Sequence, residues 1–354
     1  MDYFKIDEKN ALEAKIYAQQ IAFAPIMFQA ARTLRNLGIL AIIKAEGRDG
    51  ISFEKIVEKA KLSTYGVRVL VEAGLGIQLI ILNKDKYKLT LAGFYIMSDD
   101  MTIANLDFVH DICYKGMFDL ENSIVTEKPT GLKELGEWKT VYEGLSSLTE
   151  QQKESWFKFD HYYSDYSFNA VFKHVFKNNP KRILDIGGNT GKWALKCINY
   201  SDTVHMGLVD LPGQLKMAQE NIKKDKNAER VSFYEMNILD KSNKLPKGYD
   251  VIWMSQFLDC FSEDEIVSIL KRCFDALNEN GEVIILEHFW DRQKFEVSAF
   301  CLQMTSLYFT NIANGNSQMY HSDLFKKLVR KAGFNSIEEI DGIGVSSSLL
   351  ICKK

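Results

Sequence analysis

The sequence contains no Cys-x-x-Cys pair, no surplus of basic charge, no long uninterrupted apolar run and no internal repeat. Each absence removes a class of protein. The cysteines, at 113, 197, 260, 273, 301 and 352, are spaced neither for tetrahedral zinc nor for a disulfide framework, so they read as reduced thiols and no metal is expected. A net charge of -3 gives no electrostatic footprint for nucleic acid or an anionic membrane, because phosphate binding needs clustered Lys and Arg. The opening Met-Asp-Tyr-Phe-Lys lacks a basic segment followed by an apolar one, and no stretch has the roughly 20 apolar residues needed to span a bilayer. A cytoplasmic location is expected.

What is present is an ordinary globular composition in a chain of 354 residues, enough for two domains that each bury a core. Apolar residues recur at helical spacing over 11–43, interrupted at Pro25 and at Gly38, which suits a helix terminus, so two helices are expected. Ser52 and Ser63 stand where helix N-caps belong, the second before a helix reaching about Leu75, and Tyr87-Lys88-Leu89-Thr90 alternates as a short strand. Helix, helix and two-stranded wing is the order of a winged helix. Its candidate recognition helix, 63–75, carries Arg68 and one Glu but no Lys, Asn or Gln, and is strongly apolar. Such a helix suits a protein partner better than phosphate, and dimerisation is expected.

Residues 101–176 are helical and rich in aromatic side chains, among them Trp156, Phe157, Tyr162 and Tyr163. The rings serve either as core or as the wall of a flat apolar pocket. His161, Tyr162 and Tyr163 are the candidates for the second role. After Pro180 short apolar runs at 183–186, 204–209, 231–236, 249–254 and 282–286 alternate with amphipathic helices, the signature of an open, mainly parallel sheet covered on both faces. Residues 336–340 and 346–352 leave no room for a crossover helix between them and should form an antiparallel hairpin. Three segments result: 1–100, winged-helix-like; 101–176, connecting; and 177–354, α/β.

The sharpest local signal is Ile183-Leu184-Asp185-Ile186-Gly187-Gly188-Asn189-Thr190-Gly191, an apolar strand entering a glycine-rich turn and then a helix from about Lys192. Glycines let backbone approach a ligand at the carboxyl edge of the sheet. The spacing is neither that of a dinucleotide fingerprint nor that of a phosphate loop, since no Lys-Ser or Lys-Thr follows. The second run ends at Asp210, about 20 residues further on, where a carboxylate accepts both hydroxyls of a ribose. The competing reading of Asp210 is a helix cap before Pro212.

In order and spacing, residues 183–191, 205–212, 230–240, 250–261 and 280–287 resemble the motifs of the two-domain small-molecule O-methyltransferases of plants and bacteria. The family's glycine turn is typically Asp-Val-Gly-Gly-Gly-Thr-Gly, matched here except at Ile186 and Asn189, and the Asp-Leu-Pro at 210–212 is especially characteristic. The resemblance extends over almost the whole chain. It implies a Rossmann-like class I methyltransferase domain with a mainly parallel seven-stranded sheet, preceded by an α-helical winged-helix dimerisation domain through which the chain pairs as a homodimer. It also implies S-adenosylmethionine as cofactor, S-adenosylhomocysteine as product and a small-molecule acceptor. By position, Asp185, Gly187, Gly188 and Gly191 would line the methionine end, Asp210 would hold the ribose and Leu211 would pack on the adenine. Asn237 and Ile238 stand where the family has Asp-Met or Asp-Phe against adenine, and Ser255 and Gln256 where it approaches the cofactor again.

The catalytic positions depart from the family. Its basic His, in a Leu-His-Asp-Trp segment, is replaced by Asp259 in Leu258-Asp259-Cys260-Phe261, and its acidic residue in a Gly-Lys-Glu-Arg loop aligns with Met319. A carboxylate with a pKa of about 4 is a weak base for a phenol of about 10 unless burial raises it. Asp259 is a candidate base or acceptor-orienting group, and a helix cap is the alternative. His288, just past the fifth strand, is a second catalytic candidate. Tyr308 and Asn311 are candidates for lining the acceptor pocket. Three functions follow: O-methylation of a small aromatic or apolar hydroxyl, transfer to carbon or nitrogen mainly by proximity, or a regulator that has lost its chemistry.

Overall fold

The computed structural model describes residues 4–354, except Tyr166 and the side chains of residues 163–165. The chain forms two compact units, Met1–His110 and Asp111–Lys354. In the first, α1 (Ala11–Asn36) runs straight through Pro25 instead of breaking there. Gly38, in the left-handed region at φ 76°, separates it from α2 (Ile39–Ala45). Helices α3 (Phe53–Ala60) and α4 (Thr64–Gly76) follow, and the Ser63 side chain accepts the Gly66 N–H at the start of α4. Ser52 holds the N-cap position of α3 without a side-chain bond there.

Strands β1 (Ile80–Asn83) and β2 (Lys86–Leu89) make the antiparallel wing. Their connection, Lys84-Asp85, has both residues at positive φ, the geometry that matches the natural twist of a two-residue hairpin. Helices α5 (Leu91–Ser98) and α6 (Asp100–Phe108) complete the unit around a core that includes Leu34, Ile39, Leu40, Val67, Val71 and Ile80. The N-terminal two-thirds of α1 leaves Leu12, Ile16, Tyr17, Ile21, Phe23 and Ile26 exposed.

The second unit begins with short helices, including α7 (Leu120–Thr126) and α8 (Val141–Gly144), then α9 (Glu150–Asp165) and α10 (Phe168–Val175). The α/β layer contains β3 (Arg182–Ile186), α11 (Lys192–Tyr200), β4 (His205–Asp210), α12 (Pro212–Ile222), β5 (Val231–Glu235), β6 (Tyr249–Ser255), α13 (Glu263–Ala276) and β7 (Leu277–Glu287). It closes with α14 (Glu296–Tyr308), α15 (Ser322–Lys331), β8 (Ser336–Ile343) and β9 (Ser347–Lys353). The seven strands lie in the order β5-β4-β3-β6-β7-β9-β8. Strands β3 to β7 are parallel and the β8–β9 hairpin is antiparallel, as the spacing of the runs requires.

Alternate residues of each central strand feed opposite cores. Leu184, Ile252, Val283 and Leu350 pack in a cluster that includes residues of α13 and α15. Ile183, Val251, Ile284 and Ile351 pack in a second cluster with residues of α10, α11 and α12. With both faces covered, the free edge for chemistry is the carboxyl end of the strands. Two local devices fix the helices there: Pro212 opens α12 at a position whose N–H needs no partner, and Ser262 with Glu265 forms a reciprocal capping box on α13.

Candidate active site

Strand β3 ends in a turn that enters the left-handed region three times, at Gly187 (φ 78°), Asn189 (φ 48°) and Gly191 (φ 77°). The sequence pattern expects these glycines to open the backbone to a ligand. The structure gives them a packing role as well. A Cβ at Gly187 would lie 2.2 Å from the Phe257 ring, and one at Gly191 would lie 2.8 Å from Ile222. The turn is therefore drawn tightly onto β6's exit loop and α12, which fixes its shape.

The polar atoms around this turn suit a nucleoside. Asp210 Oδ2 accepts the Asn189 N–H at 2.8 Å and Oδ1 accepts the Leu211 N–H at 2.7 Å. Each oxygen keeps a second lone pair, so the carboxylate has capacity for two hydroxyl donors. Desolvation raises its pKa to about 6, against the opposing pull of those two N–H groups. Asp185 is buried one strand away, and burial together with the neighbouring Asp210 pushes its pKa well above the carboxylate range. Asp185 Oδ2, Ser255 Oγ and Gln256 Nε2 are buried with no hydrogen-bond partner among the described residues, the condition of groups that await a polar ligand. Gln256 also holds φ 47°, a strained conformation of the kind found where backbone is bent for function. The donor set thus fits adenosine and the methionine end of S-adenosylmethionine.

Other members of the expected set sit differently. Leu211 caps α12, half-buried beside Asp210. Asn237 is exposed, and its Oδ1 accepts the Leu239 N–H at 2.9 Å as a turn former. Ile238, expected against adenine, is buried in the core cluster that includes Leu245 and Leu258. Gly188 is confined by Asp185 and Leu208, each 3.0 Å from where its Cβ would stand.

The second focus lies at the ends of β6 and β7. Asp259 is buried on a single 3₁₀ turn (Leu258–Cys260), and desolvation raises its pKa to about 6. The capping alternative fails, because Ser262 caps the following helix. Glu287, which the sequence marks only as the charged end of an apolar run, accepts the N–H groups of Phe257 at 3.0 Å and Leu258 at 2.8 Å through Oε1. Burial, then the charge of Asp259, drives the Glu287 pKa well above its usual range. The Cys260 thiol donates to Asp259 Oδ1 at 3.4 Å, and the Asn314 amide donates to the Cys260 carbonyl at 2.5 Å. None of these supporting residues carries a local sequence signal.

His288 is buried, with its pKa lowered to about 4 by desolvation, and its Nδ1 lies 3.5 Å from the hydroxyls of Ser346 and Ser347. It is therefore neutral at pH 7 and a weak base. Tyr308 is buried, and its hydroxyl accepts the Trp156 indole N–H at 3.1 Å. Asn311 is committed within the protein: Oδ1 accepts the Ser123 hydroxyl at 2.6 Å and Nδ2 donates to the Gly116 carbonyl at 2.8 Å. That points to a clamp between segments rather than to an acceptor contact. His161 and Tyr162 are half-buried on α9, His161 stacked on Phe157 with centroids 5.8 Å apart, while the Tyr163 side chain lies outside the described residues. Asp160, not anticipated, accepts from Asn189 Nδ2 at 3.2 Å.

Comparison with known proteins agrees with this architecture. Residues 15–87 match the Dimerisation2-like domain, and residues 146–335 match the O-methyltransferase domain. The L-tyrosine C(3)-methyltransferase of Streptomyces lavendulae is 19% identical over 319 residues, covering 89% of this chain and 85% of that protein. The norreticuline-7-O-methyltransferase of Papaver somniferum is 30% identical over 165 residues, 46% of this chain and 42% of its own length. The structure of human N-acetylserotonin methyltransferase, solved in complex with S-adenosylmethionine, superposes with a TM-score of 0.68 at 15% identity, covering 99% of each chain. With more than half its length matched, the chain belongs to the O-methyltransferase domain family and is an S-adenosylmethionine-dependent methyltransferase.

Proposed function

We propose that the chain methylates a hydroxyl of a small aromatic or apolar acceptor, with Asp259 taking up the proton. The cofactor supplies a methyl carbon made electrophilic by its sulfonium. The remaining work is the protein's: holding nucleophile and methyl carbon in line at near-attack distance, which accounts for most of the rate in a displacement of this kind. Asp185, the turn at Gly187, Gly188 and Gly191, Asp210, Leu211, Ser255 and Gln256 are the proposed cofactor-binding residues. Asn237 and Ile238 stay within this reading only as flanking positions.

The observation that carries the proposal is the burial of Asp259 on a turn braced by Glu287, at the exit of the strand next to β3. A carboxylate of pKa about 6 is a stronger base than a solvated one. His288, neutral and buried, acts on orientation rather than as the base. The aromatic segment 101–176, through His161, Tyr162 and Tyr163, and Tyr308 of α14 form the proposed acceptor wall. Segment 1–100 provides the dimer contact through the exposed apolar side chains of α1, and 177–354 holds the cofactor. Six unpaired cysteines suit the reducing cytoplasm.

A second reading, transfer to a ring carbon, draws on the C-methyltransferase match over 89% of the chain and on Met319 at the position where the family resemblance calls for an acid. Incubation with methyl-labelled cofactor and a panel of phenols and amines, followed by mass spectrometry and NMR of the product, tests both. A methoxy signal supports hydroxyl transfer, an aryl methyl signal supports carbon transfer, and no labelled product from any phenol or amine overturns the proposal.

A further inference from the structure

The glycine turn carries one side chain where the family pattern has none. Asn189 adopts φ 48° between Gly187 and Gly191, a conformation that glycine takes without strain and that Asn tolerates better than most residues. A glycine there would satisfy the turn. What Asn adds is reach: its backbone N–H donates to Asp210 Oδ2 at 2.8 Å while its side-chain Nδ2 donates to Asp160 Oδ2 at 3.2 Å. Asp160 lies on α9, within the turn of helix that bears Phe157 and His161, and α9 also contacts α14 through the bond from Trp156 to Tyr308. One residue therefore spans the interval between the ribose carboxylate and the aromatic helix.

We propose that Asn189 and Asp160 are positioning residues for methyl transfer: their bond ties α9, with the aromatic side chains that wall the acceptor, to the turn that carries the cofactor. The inference rests on the reading of α9 as acceptor wall and of the turn as cofactor site. Both ends of Asn189 are charge-assisted bonds to carboxylates, the stronger kind of hydrogen bond. Engaging Asp210 with a ribose loads the carboxylate that already holds the Asn189 N–H, so occupancy of the nucleoside site is transmitted to α9 through a single residue.

Hydrogen exchange of backbone amides in α9, with and without saturating S-adenosylhomocysteine, tests the tie directly. Asn189→Gly and Asp160→Ala should each speed exchange over residues 156–162 by about tenfold in the ligand-free protein, the change expected from losing one bond to a charged group. The same variants should lose the additional protection that the wild type gains on S-adenosylhomocysteine binding. The exchanged pair Asn189→Asp with Asp160→Asn restores an amide-to-carboxylate bond in the opposite sense, and should recover both the protection and the turnover of the best phenol in the panel. Unchanged exchange in the ligand-free single variants, or a double variant no better than either single one, overturns the proposal. Should the wild type bind no S-adenosylhomocysteine, the cofactor reading of the turn fails, while the ligand-free comparison still decides whether the tie exists.

Discussion

Glu287, at the end of β7, accepts the Leu258 N–H at 2.8 Å and so sets the turn that presents Asp259. A buried carboxylate spent on two backbone N–H groups is a costly way to hold a loop. It is repaid here by a fixed position for the one acidic side chain that stands where the family resemblance calls for a base.

This brace predicts unequal effects of two substitutions. Glu287→Ala leaves the N–H groups of Phe257 and Leu258 buried and unpaired, and should destabilise the chain by about 2–4 kcal/mol in urea unfolding. Glu287→Gln keeps an acceptor oxygen and should cost much less. Equal losses would show that the two N–H bonds are not what Glu287 provides.

Asp259 gives a prediction with a defined sign. Its folded pKa, about 6, lies above the ordinary aspartate value of about 4, so folding becomes less favourable as pH rises from about 4 to about 6, and the cost persists above that window. Asp259→Asn removes the cost. The variant should be more stable than the wild type at pH 8, by up to about 3 kcal/mol, with the difference vanishing toward pH 4. Turnover should fall at every pH. A variant with full activity would exclude the carboxylate as base.

Asp210→Ala should weaken S-adenosylhomocysteine binding by about 1–3 kcal/mol in calorimetry, the scale for charge-assisted hydrogen bonds. With a folded pKa of about 6, the wild-type affinity should decline as pH drops through that value, because the protonated acid is a poorer acceptor. The variant should show a flat profile. Wild-type affinity constant from pH 5 to 8 would argue against a ribose on this carboxylate.

The N-terminal unit matches a dimerisation family and exposes Ile16, Ile21 and Ile26 along α1. Sedimentation should show a dimer at micromolar concentration. Replacing Ile21 and Ile26 together by Glu should shift it to monomer without unfolding the unit, since both side chains lie outside its core. A wild type that sediments only as a monomer would contradict the pairing.

The sequence by itself determined the strands, the wing, the glycine turn and the place of Asp210, because each is written in a short window. Strand pattern repeats every two residues, the hairpin needs a small loop, and an acidic residue, Asp210, ends the strand after the turn. It also recorded the loss of the family's His at 259. Tertiary structure alone decided how those residues behave. Whether Asp259 is solvated or buried depends on what covers it, and the Glu287 that braces its turn lies 29 positions from Leu258. Asn189 meets Asp160 across 29 positions and Asn311 meets Ser123 across 188. Pro25 stands inside α1 without ending it, and Ile238 is buried in the core, which no local pattern announces. Periodicity is a property of neighbours in the chain, whereas burial and the strength of a base are properties of neighbours in space.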